Sequence, residues 1–422
     1  MPPKKRTTPW IVFIAIFLAF IVGNLTGTEA GLFGITYYSL FDLFGTLFIN
    51  ALTLVVVPLV LSSIISGVAK MGGDSSFGRL GLKTFSFYVL TTLSAVLVGL
   101  FCVNLFQPGS SEALQLSVQS EIENGSQLSA HVTSQESVGF TRLILSIVPS
   151  NILHALSHGE MLALIFFSLL FGYALSKTEG ESSKTLQSAF RGLFEVMIRI
   201  THIVMKCLPF GVFCLVAKVA ATTGYDSLSS LAIFFITVIT ALLIFSVVVL
   251  PLFLKWIGKV SPVKLFRAVS PALITGFSTS SSSATLPITI DCIEKRAGVS
   301  NRISSLVIPL GTSLNMSGSA LYECVAAIFV AQVYGIEITL ASQVIFVALA
   351  LLTSMGVAGI PAASLVAVVV ILKAFGLPVE GIGLFLAVDR ILDMCRTTVN
   401  ILSDCCCAVL VAKSEGEKNI LQ

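Results

Sequence analysis

The sequence predicts an all-α polytopic membrane protein with eight transmembrane helices plus two re-entrant helical hairpins, arranged as inverted repeats. Three observations carry that prediction. The first is composition: only 11% of the 422 residues are charged and 55% are hydrophobic, with a mean hydropathy of +0.96. A soluble domain carries about 25% charged residues. The second is distribution. Seven windows of at least 18 residues hold no Asp, Glu, Lys or Arg: 7–28, 43–69, 84–111, 227–254, 268–290, 303–322 and 338–372. Roughly 20 apolar residues in a helix span a bilayer. The third is the sidedness of the basic residues. Together these exclude periplasmic, cytosolic and nucleic-acid-binding readings, and the net charge of +3 reflects topology rather than a ligand. The first window is expected to be retained, because it outruns a signal-peptide h-region of about 15 residues and no A-x-A-like site follows it.

Lys and Arg mark the cytoplasmic side of short loops. Lys4, Lys5 and Arg6 are followed by Lys70, Arg79 and Lys83, then Lys177, Lys184 and Arg191. Further clusters are Lys255, Lys259, Lys264 and Arg267, then Lys295, Arg296 and Arg302, then Lys413 and Lys418. The intervening stretches 26–41, 108–140, 219–229, 333–341 and 374–382 lack Lys and Arg and carry acids such as Glu29, Glu112, Asp226, Glu337 and Glu380. Eighteen of the 25 basic residues therefore fall on one side, and both termini are expected there, in the cytoplasm.

In chain order, six spans fit at about 9–26, 42–70, 80–107, 141–176, 190–218 and 227–255. Residues 108–137 form a polar outside loop without apolar periodicity, and its Asn124-Gly125-Ser126 triplet matches a glycosylation acceptor no better than chance would. Segment 268–290 has basic clusters at both ends, so it enters and leaves on the cytoplasmic side. Segment 338–372 lies between acidic loops, apart from Lys373 at its edge, so it enters and leaves from outside. Neither can hold two full spans. Their centres, the serine run Ser278–Ser283 and the stretch Gly356, Gly359 and Pro361, suit tips between half-helices. Such backbone survives at membrane depth only when buried in protein or lining a cavity. Spans at about 302–332 and 382–412 follow the two hairpins. A hairpin and a span, repeated in the opposite orientation, place substrate and ion sites near the midplane. None of the nine cysteines falls in an outside segment, so no disulfide framework is expected, and consecutive Cys405, Cys406 and Cys407 cannot share one metal on a helix.

The polar residues within the spans carry the chemistry. In DRILDMCRTTVNILSD, residues 389–404, Arg396, Thr397, Asn400 and Asp404 stand at i+3, i+4, i+7 and i+11 from Asp393, with Asp389 at i−4. At 3.6 residues per turn they share one face. A stripe of that kind in a membrane helix is costly unless paired or hydrated; the bland alternative is an internal Asp393–Arg396 bridge that ties two helices together. In GTSLNMSGSALYE, Asn315, Ser319 and Glu323 recur every four residues, while Gly311 and Gly318 invite local unwinding that would free carbonyls for a cation. Burial disfavours the charged form of a carboxyl, which makes Glu323 a candidate proton carrier. SSSSATLP, residues 280–287, would present hydroxyls and N–H groups to an anion. TSMGVAGIP, residues 353–361, is uncharged and Gly-rich enough to act as a lid.

In this order, SSSSATLP, NMSGSALYE, MGVAGIP and the polar last helix resemble the dicarboxylate/amino acid:cation symporter family, which includes archaeal aspartate transporters and excitatory amino acid transporters. The likeness covers nearly the whole chain and is most specific from Pro271 to Lys413. It implies a homotrimer in a cell membrane (the inner membrane of a bacterium) that imports acidic amino acids, glutamate or aspartate. Uptake would be coupled to Na+ and/or H+ by an elevator-type movement. The implied organisation is a scaffold of residues 1–76 and 138–223, a transport domain of 77–107 and 224–414, and a cytoplasmic tail at 415–422. By motif position, Arg396 would take the substrate's side-chain carboxylate and Asp393 its ammonium. Thr397, Asn400 and Ser319 would line the pocket, with Ser281, Ser282, Ser283 and Gly359 around the α-carboxylate. One sodium site would use Asp404 with carbonyls around Gly311, Asn315 and Asn400. A second would lie between Ser313 and Ser354, Met355 and Val357, and a third would join Asn315 to Thr91 and Thr92.

Two departures stand out. Where the family usually reads N-M-D-G-T, this chain has Ser317 and Ser319, and positions where relatives carry a further arginine hold Ser280 and Cys395. A C4-dicarboxylate or a neutral amino acid is the alternative cargo; Asp393 argues against the first and Arg396 against the second. A membrane hydrolase is the rival from another class. The chain has no G-x-S-x-G, H-E-x-x-H or G-x-G-D, and His131, His154, His158 and His202 all fall outside the polar stretches.

Overall fold

The computed structural model describes residues 9–32, 35–71, 75–110, 148–158, 161–223, 226–336, 338–354, 363–418 and 420–421. The described chain is nearly all helix, as the apolar windows require, since a helix satisfies its own backbone polar groups without water. α1 (Pro9–Thr26), α2 (Tyr37–Met71) and α3 (Ser75–Phe106) coincide with the first three expected spans. Between α1 and α2 lies a feature not foreseen in an all-α reading, a two-residue antiparallel pair with Gly31 opposite Thr36 and Leu32 opposite Ile35. The polar segment 111–147, with its Asn124 triplet, lies outside the described residues, as does the start of the fourth span.

The later spans are more broken than expected. The fourth is seen as α4 (Ile152–His158) and α5 (Met161–Lys177). The stretch read as one fifth span, 190–218, is divided: α6 (Glu181–Val204) and α7 (Leu208–Thr223) are separated by a 3-10 turn, Met205–Cys207. Pro209 in the first turn of α7 has no N–H to continue the preceding ladder. α8 (Asp226–Ile244) passes through a π turn, Phe245–Val249, into α9 (Leu250–Trp256), where Pro251 again removes a donor.

The two uncharged segments between basic and between acidic loops each form a pair of helices. α10 (Pro262–Thr279) and α11 (Ser282–Asp291) pack on one another across a two-residue turn. Ser280 adopts a left-handed conformation there (φ 51°), and Ser281 caps α11 by accepting the Ala284 N–H at 3.2 Å. The serine run thus supplies both the turn and the cap, a use of serine that a helix interior does not favour. α14 (Leu340–Ser354) and α15 (Ala363–Ala374) also pack together, and the tip between them, with Met355, Val357 and Gly359, lies outside the described residues.

α12 (Asn301–Leu314) and α13 (Ser317–Val333) form one interrupted rod, and α16 (Leu386–Ser414) is the last helix. The interruption is at Asn315 (φ −119°, ψ 70°) and Met316 (φ −98°, ψ 55°), between Gly311 and Gly318 rather than at either. Both glycines remain helical and serve close approach instead. A Cβ on Gly311 would lie 2.4 Å from Asp404 Oδ1, and one on Gly318 would lie 2.8 Å from the Arg396 carbonyl.

Packing divides the helices into two sets. α1, α2, α5, α6 and α7 pack mainly on each other, joined by the Lys218–Asp42 ion pair at 2.9 Å and by the edge-on pairs Phe41–Phe213 and Phe44–Phe210. α3 and α8 to α16 form the other set, with α13 and α16 at its centre. Of the helical stretches long and apolar enough to cross a membrane, Asn301–Val333 and Leu386–Ser414 are 94% and 83% buried, against 39% for Leu80–Phe106 and 44% for Ser230–Trp256. The two rods that carry the polar motifs are therefore shielded by protein, and the outer ones keep an apolar face for lipid. After α16 the chain turns back on the α11–α12 connection, where the Leu421 N–H donates to the Ala297 carbonyl at 2.9 Å.

Candidate functional site

The polar stripe of α16 faces the break between α12 and α13, and it resolves into two clusters. The first surrounds Arg396, which is fully buried. Its Nη1 donates to Asp389 Oδ1 at 2.9 Å and its Nη2 to Asp393 Oδ1 at 3.1 Å. The guanidinium carbon lies 3.7 Å from the centroid of Tyr322, whose hydroxyl donates to Asp389 Oδ1 at 2.9 Å. A guanidinium over an aromatic face gains from the ring's quadrupole, most when desolvated. Phe234 and Phe385 pack against the Tyr322 ring at 6.2 and 6.1 Å between centroids and hold it in place. Both carboxylates sit on the arginine's own helix, and Tyr322 of α13 makes the cross-helix link. Arg396 Nε, also buried, has no hydrogen-bond partner among the described residues.

Asn400, one turn further on, works on the backbone. Its Oδ1 accepts the Gly318 N–H at 2.8 Å and the Ser319 N–H at 3.3 Å, and its Nδ2 donates to Ser319 Oγ at 3.1 Å. The first turn of α13 leaves N–H groups without intrahelical partners, and a side chain from α16 caps them. The break at Asn315–Met316 is what brings those N–H groups to Asn400.

The second cluster centres on Asn315. The hydroxyls of Thr91, Thr92 and Ser317 lie 3.1, 3.2 and 3.0 Å from its Oδ1. Its Nδ2 donates to Asp404 Oδ1 at 2.9 Å and to Ser403 Oγ at 3.2 Å. Ser317 Oγ stands 3.0 Å from Ser403 Oγ and 3.2 Å from Thr92 Oγ1. Asp404 is 1% exposed and, among the described residues, forms no ion pair. Such a carboxylate calls for a cation or a proton as neighbour.

Glu323, next to Tyr322 in the chain, bonds to a different helix. Its Oε2 accepts from Thr353 Oγ1 of α14 at 2.7 Å, and its buried Oε1 has no partner among the described residues. Of the other expected residues, Ser282 and Thr397 are buried and Ser283 is exposed. Thr397 faces α10, where a Cβ on Gly276 would lie 3.8 Å from its Cγ2. Ser354 is buried with its hydroxyl donating to the Leu351 carbonyl at 2.9 Å, and Ser313 is half-buried. The structure thus unites Arg396 with Asp393, Asn400 with Ser319, and Asn315 with Asp404, Thr91 and Thr92; the Asn400 side chain caps α13. Sequence reasoning left out Tyr322, Thr353 and Ser403. Asp389 was legible as a stripe member, since i and i+7 share a helix face, but Tyr322 and Thr353 become partners only through the packing of α13 against α16 and α14.

Residues 10–414 match the sodium:dicarboxylate symporter family. The chain is 35% identical over 411 residues to a proton/glutamate-aspartate symporter of Escherichia coli (strain K12), covering 97% of this chain and 93% of that protein. It is 35% identical over 421 residues to a proton/sodium-glutamate symport protein of Bacillus caldotenax, covering 99% and 96%. A C4-dicarboxylate transport protein of Bacillus subtilis (strain 168) is 33% identical over 374 residues, covering 88% and 87%. An arginine buried between two aspartates and a buried carboxylate facing a helix break thus occur in a multi-pass membrane protein that belongs to the sodium:dicarboxylate symporter family.

Proposed function

We propose that the protein is a secondary active symporter that imports glutamate or aspartate together with Na+, H+ or both. The observation that carries this reading is Arg396: wholly buried, flanked by Asp389 and Asp393, and with an N–H at Nε still to be satisfied. A guanidinium offers a fork of donors that a carboxylate can take bidentately. Nε with one Nη is such a fork, so the substrate's distal carboxylate binds there while Asp393 receives its ammonium. Asn400, Ser319 and Thr397 line the pocket, and Ser281, Ser282, Ser283 and Gly359 close on the α-carboxylate.

The co-transported cation sits at Asp404, against the Gly311 backbone and Asn315. The remaining positions, Ser313 with Ser354, Met355 and Val357, and Asn315 with Thr91 and Thr92, are the further cation stations. Glu323 exchanges a proton across its contact with Thr353. Residues 1–76 and 138–223 form a static scaffold, and 77–107 with 224–414 a transport domain that moves as an elevator. α10–α11 and α14–α15 are the two hairpins, the second being the external gate. Eight spans, inverted repeats, a homotrimer and cytoplasmic termini complete the reading. The two packing sets support the domain division, because they part between α2 and α3 and between α7 and α8, close to residues 76 and 223. A C4-dicarboxylate cargo is the second reading, favoured by the likeness to the Bacillus subtilis dicarboxylate transport protein.

Purified protein in proteoliposomes tests both. Counterflow with labelled glutamate, aspartate and succinate, under imposed sodium or proton gradients, should show saturable, gradient-driven uptake of the two amino acids. Uptake that ignores both gradients would overturn the proposal. Glu323→Gln should flatten the pH dependence of uptake; a pH profile equal to that of the wild type removes Glu323 from the proton path.

A further inference from the structure

Arg390 has no part in the pocket described so far, yet it completes the pocket's charge. It stands one turn before Asp393 on α16, with its Nη1 3.5 Å from Asp393 Oδ2. Arg396 Nη2 holds the other oxygen, Oδ1, at 3.1 Å. Each carboxylate oxygen of Asp393 therefore faces a different guanidinium. With Asp389 on Arg396 at 2.9 Å, two aspartates meet two arginines and the quartet carries no net charge.

We propose that Arg390 is a specificity-determining residue that stands in for a substrate ammonium on Asp393, so that one pocket accepts both acidic amino acids and dicarboxylates lacking an amino group, such as succinate. The inference rests on the pocket assignment under Proposed function and goes beyond it in giving Arg390 the role that lets one pocket take both cargoes. The two arginines differ in the way the role requires. The Arg396 side chain is 1% exposed and stacked on Tyr322, whereas the Arg390 side chain is 15% exposed and its contact is the longer one. Arg396 is held by two aspartates and an aromatic ring, whereas Arg390 is partly exposed and held to Asp393 by the longer contact alone. An amino acid brings its own cation: the ammonium displaces Arg390 from Asp393, one positive charge replaces another, and the quartet stays balanced. Succinate brings none. With Arg390 in place Asp393 remains neutralised, and only the two carboxylates of the ligand need donors. Without Arg390, succinate would approach a carboxylate that has lost one of its two cations, and like charges in a desolvated site repel strongly.

The test is competition in proteoliposomes holding the full chain, with labelled aspartate uptake inhibited by unlabelled aspartate or succinate. Wild type, Arg390→Gln and Arg390→Lys are compared. In wild type, succinate should compete. In Arg390→Gln the ratio of the half-inhibiting concentrations, succinate over aspartate, should rise on the order of tenfold or more, and Arg390→Lys should bring it back toward wild type. An unchanged ratio in Arg390→Gln, or a wild type that succinate does not inhibit, overturns the proposal. If Arg390→Gln is not recovered folded, the same ratio is read by thermal-shift titration of Arg390→Met, which keeps the aliphatic stem; no change there overturns it equally. A wild type that takes up neither aspartate nor glutamate refutes the pocket assignment instead, and shows it before any variant is compared.

Discussion

The two polar clusters of α16 lie only eight residues apart, about 12 Å along the helix, and they are built on opposite principles. Around Arg396, charge answers charge: Asp389 and Asp393 are both ion-paired, and Tyr322 covers the guanidinium face. Around Asp404 there is one carboxylate among an amide and four hydroxyls, with no ion pair among the described residues. A balanced cluster can take a zwitterionic or dianionic ligand only by exchanging partners. A cluster with one uncompensated anion attracts a bare cation, because leaving a buried charge unpaired is the costlier state. On the proposed function, the first cluster is the substrate pocket and the second the coupling-ion site of a single helix.

The largest expected effect breaks the first cluster. Arg396→Cys removes the partner of a buried carboxylate, a loss of roughly 2–5 kcal/mol, so acidic substrates should weaken on the order of thirtyfold or more. Serine-sized neutral amino acids lose little, so selectivity should turn toward them. Uptake of aspartate, glutamate and serine, measured beside expression and folding, checks this; a folded variant that keeps the wild-type preference for glutamate sinks the assignment. Gly311→Ala attacks the second cluster by sterics, since its Cβ would lie 2.4 Å from Asp404 Oδ1. Overpacking of that kind costs about 1–3 kcal/mol. The variant should therefore need more sodium for half-maximal uptake and unfold at a lower temperature, while the aspartate:serine preference stays as in wild type.

Ser317→Asp makes the second cluster more like the first by adding an anion beside Asn315. More fixed negative charge neutralises more cations before they repel each other, so the sodium dependence of uptake should steepen. An unchanged Hill slope would remove the reason for invoking this position. Tyr322→Phe gives the smallest effect. It deletes one hydrogen bond to Asp389 but keeps the ring under Arg396, a change of about 0.5–1.5 kcal/mol. Affinity for aspartate should drop a few-fold at most, with sodium dependence unmoved; a shift in sodium dependence would mean that the two clusters are not separate.

Much of this was legible in the sequence. The uncharged windows placed α1, α2 and α3, because a run of apolar residues in lipid has to be helical whatever it packs against. The i+3, i+4, i+7, i+11 spacing put Arg396, Thr397, Asn400 and Asp404 on one face of α16, because helical periodicity is local. The serine run marked a turn, and Ser280–Ser281 is where α10 gives way to α11. The breaks at Met205–Cys207 and Phe245–Val249 were missed, since each Pro acts on a ladder whose course depends on neighbouring helices.

What tertiary structure alone decided is which polar group meets which. Sequence spacing joined Asp393 to Arg396 and stopped there. Packing brought Tyr322 under the guanidinium, Asn400 onto the first N–H groups of α13, Thr353 onto Glu323, and Ser403 beside Ser317. It also moved the unwound point from the glycines to Asn315–Met316, leaving Gly311 and Gly318 as the places where α16 comes closest. The physical reason is one of range: helix and face follow from contacts within four residues, whereas a buried donor finds its acceptor only when distant segments are pressed together and water is gone.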